Sequence, residues 1–244
     1  MIERTLDLET ADGKMSTFIT HPELESPHPV VVLYMDAPGI REELHDFARR
    51  MATVGYYCMV PNLFYRAGGP SFPPGELRTP EQSQQMQEIM AGLSNGMIVE
   101  DTRTLLAHAE SDSAARPGAK GCIGYCMSGQ YVLTVAGTFP AEFKAMASLH
   151  GVRHVTDRED SPHKLVPQLQ GEQYFGFAED DPHVPPEEVA ELKRTLEQHG
   201  ANALVEVHPN TKHGFVFPSR QVFNKTEAER SWERAFAMFR RQLG

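Results

Sequence analysis

The run "PVVVLY" (29–34) is the feature that most restricts what this chain can fold into. Three successive valines followed by leucine leave no polar face to turn toward water. A continuous β-branched run of this length suits a strand buried on both sides, as in a parallel sheet covered by helices. The segments after it keep alternating. "REELHDFARRMATVGY" places Leu44, Phe47, Ala48 and Met51 at helical spacing and offers Gly55 as a stop. Strands are expected at "YYCMVPNLF", "AKGCIGY", "KAMASLHG", "GEQYFGFA" and "NALVEVHP". Helices are expected at 81–93, about 98–110, "MSGQYVLTVAGTF", "PPEEVAELKRTLEQHG" and "TEAERSWERAFAMFRRQL". The opening "TLDLETADGKMSTFI" alternates around Asp12-Gly13 and predicts a β-hairpin.

Strands alternating with helices imply right-handed βαβ units. The expected fold is therefore α/β, with a mostly parallel central sheet and helices on both faces, in one domain over 1–244. Ligands in such sheets bind at the C-terminal ends of the strands. The stretch 65–80, "YRAGGPSFPPGELRTP", is too rich in proline and glycine for regular structure. It predicts a long loop of the kind that walls a substrate site.

Net charge is −10, with the acidic residues scattered, which excludes nucleic acid and an anionic membrane surface as expected partners. The start "MIERTLDLET" carries charges where a signal peptide needs an apolar core. No apolar stretch approaches the roughly 18 residues of a membrane span. Three cysteines, Cys58, Cys122 and Cys126, are too few for a disulfide framework and lack zinc spacing. A reducing, cytoplasmic setting follows, in which a free thiolate can persist as a nucleophile.

One cysteine stands apart. "GYCMSG" (124–129) places Cys126 at a strand-to-helix junction, with Gly124, Ser128 and Gly129 removing bulk from a tight turn. The helix behind it supplies free N–H groups and the positive end of a dipole, which favours a thiolate or a developing oxyanion. A thiol nucleophile needs a base, and the base an orienting carboxylate. "GFAEDDPHVP" puts Asp180 and Asp181 just after a strand, and "VHPNTKHGF" puts His213 after the last one. The chain order nucleophile, acid, histidine is that of α/β-hydrolases. Cys58, Cys122, Trp232, Phe236 and Phe239 are expected in the core.

With "GYCMSG", "EDDPHVP", "KHGF" and "YMDAPGIRE" in this order, the chain resembles the dienelactone hydrolase family, the branch of α/β-hydrolases with a cysteine nucleophile. The resemblance implies Cys126 as nucleophile, His213 as general base and Asp181 as the carboxylate orienting it. Asp181 is preferred to Asp180 because it stands three residues before Val184 of the "VP" pair. Asp36 lies where the family carries a glutamate that affects ionisation of the cysteine, and its side chain is one methylene shorter. Ala37 and Met127 would donate oxyanion-hole N–H groups. The family holds its substrate's carboxylate with arginines, one of them four residues after the histidine. Here that position is Phe217, which implies a less anionic substrate. Arg41, His150 and Tyr65 are further candidates for substrate contact.

The activity implied is hydrolysis of a small ester or lactone by acyl transfer, with no metal or organic cofactor. The partner is a small molecule, and the chain is a monomer or homodimer. Two alternatives stand beside it: a thiol redox or peroxide-reducing protein pairing Cys126 with Cys122, and a catalytically silent hydrolase-fold protein that binds a ligand.

Overall fold

The computed structural model describes residues 1–24, 27–73 and 75–244, together with the backbone but not the side chain of Glu76. Its residues fall into two compact units, Met1–Gly118 and Ala119–Gly244.

The first unit opens on the expected hairpin. Strand β1 (Ile2–Thr10) pairs antiparallel with β2 (Gly13–His21), and the register sets Thr10 opposite Gly13. The turn is therefore Ala11-Asp12, and the Thr10 hydroxyl donates to the Gly13 carbonyl at 2.8 Å. Strand β3 (Val30–Tyr34), the valine run, is buried at every position. Helix α1 (Glu42–Thr53) turns Leu44, Phe47, Ala48, Met51 and Ala52 inward, the face that its spacing predicted. It leads into β4 (Tyr57–Pro61), which pairs parallel with β3 and antiparallel with β2.

The 65–80 stretch differs from the irregular loop expected. Tyr65–Ala67 and Gly75–Leu77 each form a 3₁₀ turn, and helix α2 (Pro80–Ala91) begins inside the stretch. Pro80 suits the first helical position because its missing N–H has no partner there in any case. Thr79 and Gln82 form a reciprocal capping box that fixes the start. Pro74, in the middle of that stretch, lies outside the described residues. Helix α3 (Asn95–Ser111) closes the unit, with Ser94 capping the Met97 N–H.

The second unit is built from parallel strands β5 (Lys120–Tyr125), β6 (Phe143–Leu149), β7 (Glu172–Asp180) and β8 (Ala203–Lys212), paired in that order. Helices α4 (Gly129–Thr138), α5 (Pro186–Gln198) and α6 (Lys225–Leu243) connect or follow them. Strand β5 has a helix on each face. A Cβ on Gly121 would meet the Phe239 ring of α6 at 2.9 Å, whereas one on Gly124 would meet Val132 of α4 at 2.7 Å. Residues 121 and 124 point to opposite sides of a strand. Cys122 lies fully buried among these contacts, Cys58 is equally buried in the first unit, and Trp232 and Phe239 are core residues as expected.

Across the two units, four strand pairings are parallel and two antiparallel among the described residues. Strand β8 runs three residues beyond its expected end, through Pro209 to Lys212. Among the described residues, no helix is long and apolar enough to cross a membrane.

Candidate active site

Cys126 begins where β5 stops. Its backbone takes the left-handed conformation with φ 53°, and Cys126–Ser128 form a 3₁₀ turn that runs directly into α4. A side chain costs energy in that region, so the surroundings must hold it there. Two glycines make the turn possible. A Cβ on Gly124 would lie 2.9 Å from the Ser128 carbonyl oxygen, and one on Gly129 only 2.5 Å from the Gly151 Cα. The chain thus reverses over residues without side chains, and Cys126 is left half-exposed while Met127 and Ser128 are buried.

All three cysteines are free thiols. Burial pushes the thiols of Cys58 and Cys122 well up, away from thiolate formation. Cys126 is the cysteine within reach of solvent and of a base.

The candidate base, His213, lies in the turn immediately after β8. Its Nδ1 pairs with Asp181 Oδ2 at 2.8 Å, and both side chains are largely buried. The other nitrogen, Nε2, is buried without a hydrogen-bond partner, and the Cys126 side chain is near enough to act electrostatically on the ring. Burial pulls the imidazole pKa down. The negative charge of Cys126 and the hydrogen bond donated to Asp181 outweigh it, and the pKa is pushed up to about 10.

Asp181 is held in turn. Its Oδ1 accepts the His183 N–H at 2.9 Å, and its carbonyl accepts the Val184 N–H at 3.3 Å. Asp180 instead points to solvent beside Lys212.

Other side chains surround the histidine. The ring of His150 meets His213 edge-on, with centroids 4.9 Å apart, and lies 5.6 Å from Phe217. Tyr125 lies 5.4 Å from the same phenylalanine. His183, which the sequence did not single out, stands edge-on to His213 at 4.7 Å. Burial and the charge of His213 push its own imidazole down. Arg220 places its guanidinium 4.6 Å from the Phe217 centroid.

The candidates of the first unit have their own partners. Asp36 is fully buried, and Arg41 reaches it with both terminal nitrogens, at 2.5 and 3.3 Å. Arg41 also holds Glu43 and the Gly39 carbonyl. Ala37 is buried beside Asp36 in the chain. The Tyr65 hydroxyl bonds to Asp101 and Thr10, each at 2.8 Å, under the Arg66 guanidinium. Among the described residues, no group of three or more His, Cys, Asp or Glu side chains is arranged to hold a metal ion.

Solved structures place the architecture in the α/β-hydrolase class. "Putative Dienelactone Hydrolase" from Klebsiella pneumoniae superposes with a TM-score of 0.85 at 21% identity, covering 98% of each chain. A dienelactone hydrolase-like promiscuous phosphotriesterase from metagenomic libraries gives 0.82 at 18% identity, covering 100% of this chain and 99% of the other. Among curated proteins, the "Putative carboxymethylenebutenolidase" of Synechocystis sp. is 24% identical over 94% of this chain and 93% of its own length. The chain belongs to the dienelactone hydrolase family, whose sequence model matches residues 15–243. It is accordingly a hydrolase of the carboxylic-ester or lactone type.

Proposed function

We propose that this chain hydrolyses small esters or lactones through a covalent acyl-enzyme on Cys126, with His213 as general base and Asp181 as its orienting carboxylate. The observation that carries the reading is His213, whose Nδ1 is held by Asp181 while its buried Nε2 is left unpartnered and the ring feels the charge of Cys126. A carboxylate on Nδ1 fixes the tautomer and stabilises the imidazolium that forms when the thiol gives up its proton. The thiolate sulfur attacks the carbonyl carbon, and the oxygen takes up negative charge beside the N–H groups at the α4 end of the turn, Met127 first. Collapse expels the alcohol, which receives the proton from His213. The histidine then draws a proton from water, whose oxygen attacks the thioester, releasing the acid and restoring Cys126.

The family match spans residues in both units, which supports reading 1–244 as one hydrolase domain. Buried aromatic side chains around His213, with Phe217 where the family's arginine stands, support a neutral acyl group as substrate. The free thiols support a reducing, cytoplasmic setting. Cys126→Ala is expected to fold normally and to lose hydrolysis of activated aryl esters. Wild-type turnover by that variant would overturn the assignment.

A further inference from the structure

Four non-glycine residues among those described adopt the left-handed conformation: Cys126, His150, Arg153 and Asn210. Three of them are brought to one place. The turn after β6 carries His150 (φ 39°) and Arg153 (φ 61°), and between them Val152 donates its N–H to the Cys126 carbonyl at 3.0 Å. Gly151 of this turn packs against Gly129, so closely that neither could carry a Cβ. The strained nucleophile turn is therefore held by a second strained turn, and something must hold that one.

The holding groups are buried and polar. Glu188, in the first turn of α5, accepts the His154 N–H on Oε1 at 2.7 Å, with the Val155 N–H at 3.5 Å from the same oxygen. The His154 ring, completely buried, bonds through Nε2 to the Ser148 hydroxyl of β6 at 2.8 Å. Its edges lie against Phe175 and Phe177 of β7, each at 5.4 Å. Both ends of the turn are thus pinned, at Ser148 by the imidazole and at His154 by the carboxylate. Glu188 sits seven residues after Asp181, in the first turn of the helix that the short connection after β7 enters. One covalent path therefore runs from the carboxylate facing His213 to the carboxylate holding the turn beneath Cys126.

We propose that Glu188 is a positioning residue for the nucleophile. By accepting the His154 N–H it keeps the 150–155 turn in its strained form, which keeps the Val152 N–H on the Cys126 carbonyl and Cys126 directed at His213. The inference rests on Cys126 acting as nucleophile. Small displacements of a reacting group lower turnover steeply without weakening substrate binding.

The test compares Glu188→Gln, which retains an oxygen able to accept both N–H groups, with Glu188→Ala and Glu188→Asp, which remove or retract it. Turnover of an activated aryl ester is measured per titrated active site, and alkylation of Cys126 by iodoacetamide is followed separately. Glu188→Ala and Glu188→Asp are expected to lower kcat about tenfold with KM within about twofold of wild type, and to slow alkylation in parallel. Glu188→Gln is expected to restore both. If Glu188→Ala does not fold, the contrast between Glu188→Gln and Glu188→Asp carries the test. Wild-type kcat and alkylation in Glu188→Asp, or an equal loss in Glu188→Gln, would overturn the inference. Cys126→Ala runs alongside: if it is inactive while Glu188→Asp is unimpaired, the positioning role alone falls. If it remains active, the nucleophile assignment falls with it.

Discussion

His213 stands 2.8 Å from Asp181 through Nδ1 and its ring also feels the charge of Cys126, so a single imidazole responds to the acid after one strand and to the thiol after another. Asp181→Asn keeps the shape of this contact but loses the charge and allows the opposite tautomer. Its kcat for an activated ester is expected to fall by about two to four orders of magnitude. The far-ultraviolet spectrum and the urea midpoint should stay near those of wild type. A loss of less than about threefold would show that Asp181 does not orient the base.

The raised pKa of His213 has a direction that can be checked. The imidazole titrates near 6.5 when unperturbed and near 10 in the folded protein, so folding favours its protonated form. The stabilisation from this group is complete below about 6.5 and is lost as pH rises through about 10. Burial opposes the shift, and the charge of Cys126 is the largest cause that favours it. In Cys126→Ala, the His213 ring-proton resonances are therefore expected to titrate at a clearly lower pH than in wild type. Equal midpoints in the two proteins would show that the thiol and the imidazole do not share charge.

Asp36 and Arg41 make a separate prediction about stability. A fully buried carboxylate needs the guanidinium that reaches it through two nitrogens. Arg41→Met withdraws that charge and is expected to cost about 3 kcal/mol in urea unfolding. Asp36→Asn together with Arg41→Met should recover much of the loss, since no buried charge then remains at the pair. A double variant as unstable as Arg41→Met alone would contradict this.

Much of this arrangement could be read in the sequence because it is local. The valines of β3, the inward face of α1 and the bulk-free turn around Cys126 are each written within a few residues. Asp181 and His213 were legible because strand ends in an α/β alternation converge on one edge. The capping box at Thr79 was also local, and the helix that it opens starts one residue before the expected position 81. The rest depends on packing between distant segments. Nothing near Glu188 announces that its carboxylate will meet the His154 N–H, and nothing in "LHGVRH" announces two left-handed residues. Arg41 read as a substrate contact is, in the structure, committed to Asp36 and Glu43, a pairing set by the chain reversal at Gly39.

Substrate preference should follow the side chains near the base. Phe217, Tyr125 and His150 are uncharged or weakly basic and fully buried. Neutral aryl esters are expected to give kcat/KM at least equal to that of a carboxylate-bearing lactone. A strong preference for the anionic lactone would contradict this and direct attention to Arg220, whose guanidinium lies over Phe217.

The central claim is that the acyl group passes through Cys126, and trapping the intermediate tests it most directly. The protein is mixed with an activated aryl ester, quenched in acid during turnover, digested and examined by mass spectrometry. One acyl group is expected on the peptide containing Cys126, accumulating further in His213→Asn, where water is no longer activated. An acyl group on any other residue during full turnover, or turnover with none on Cys126, would contradict the claim.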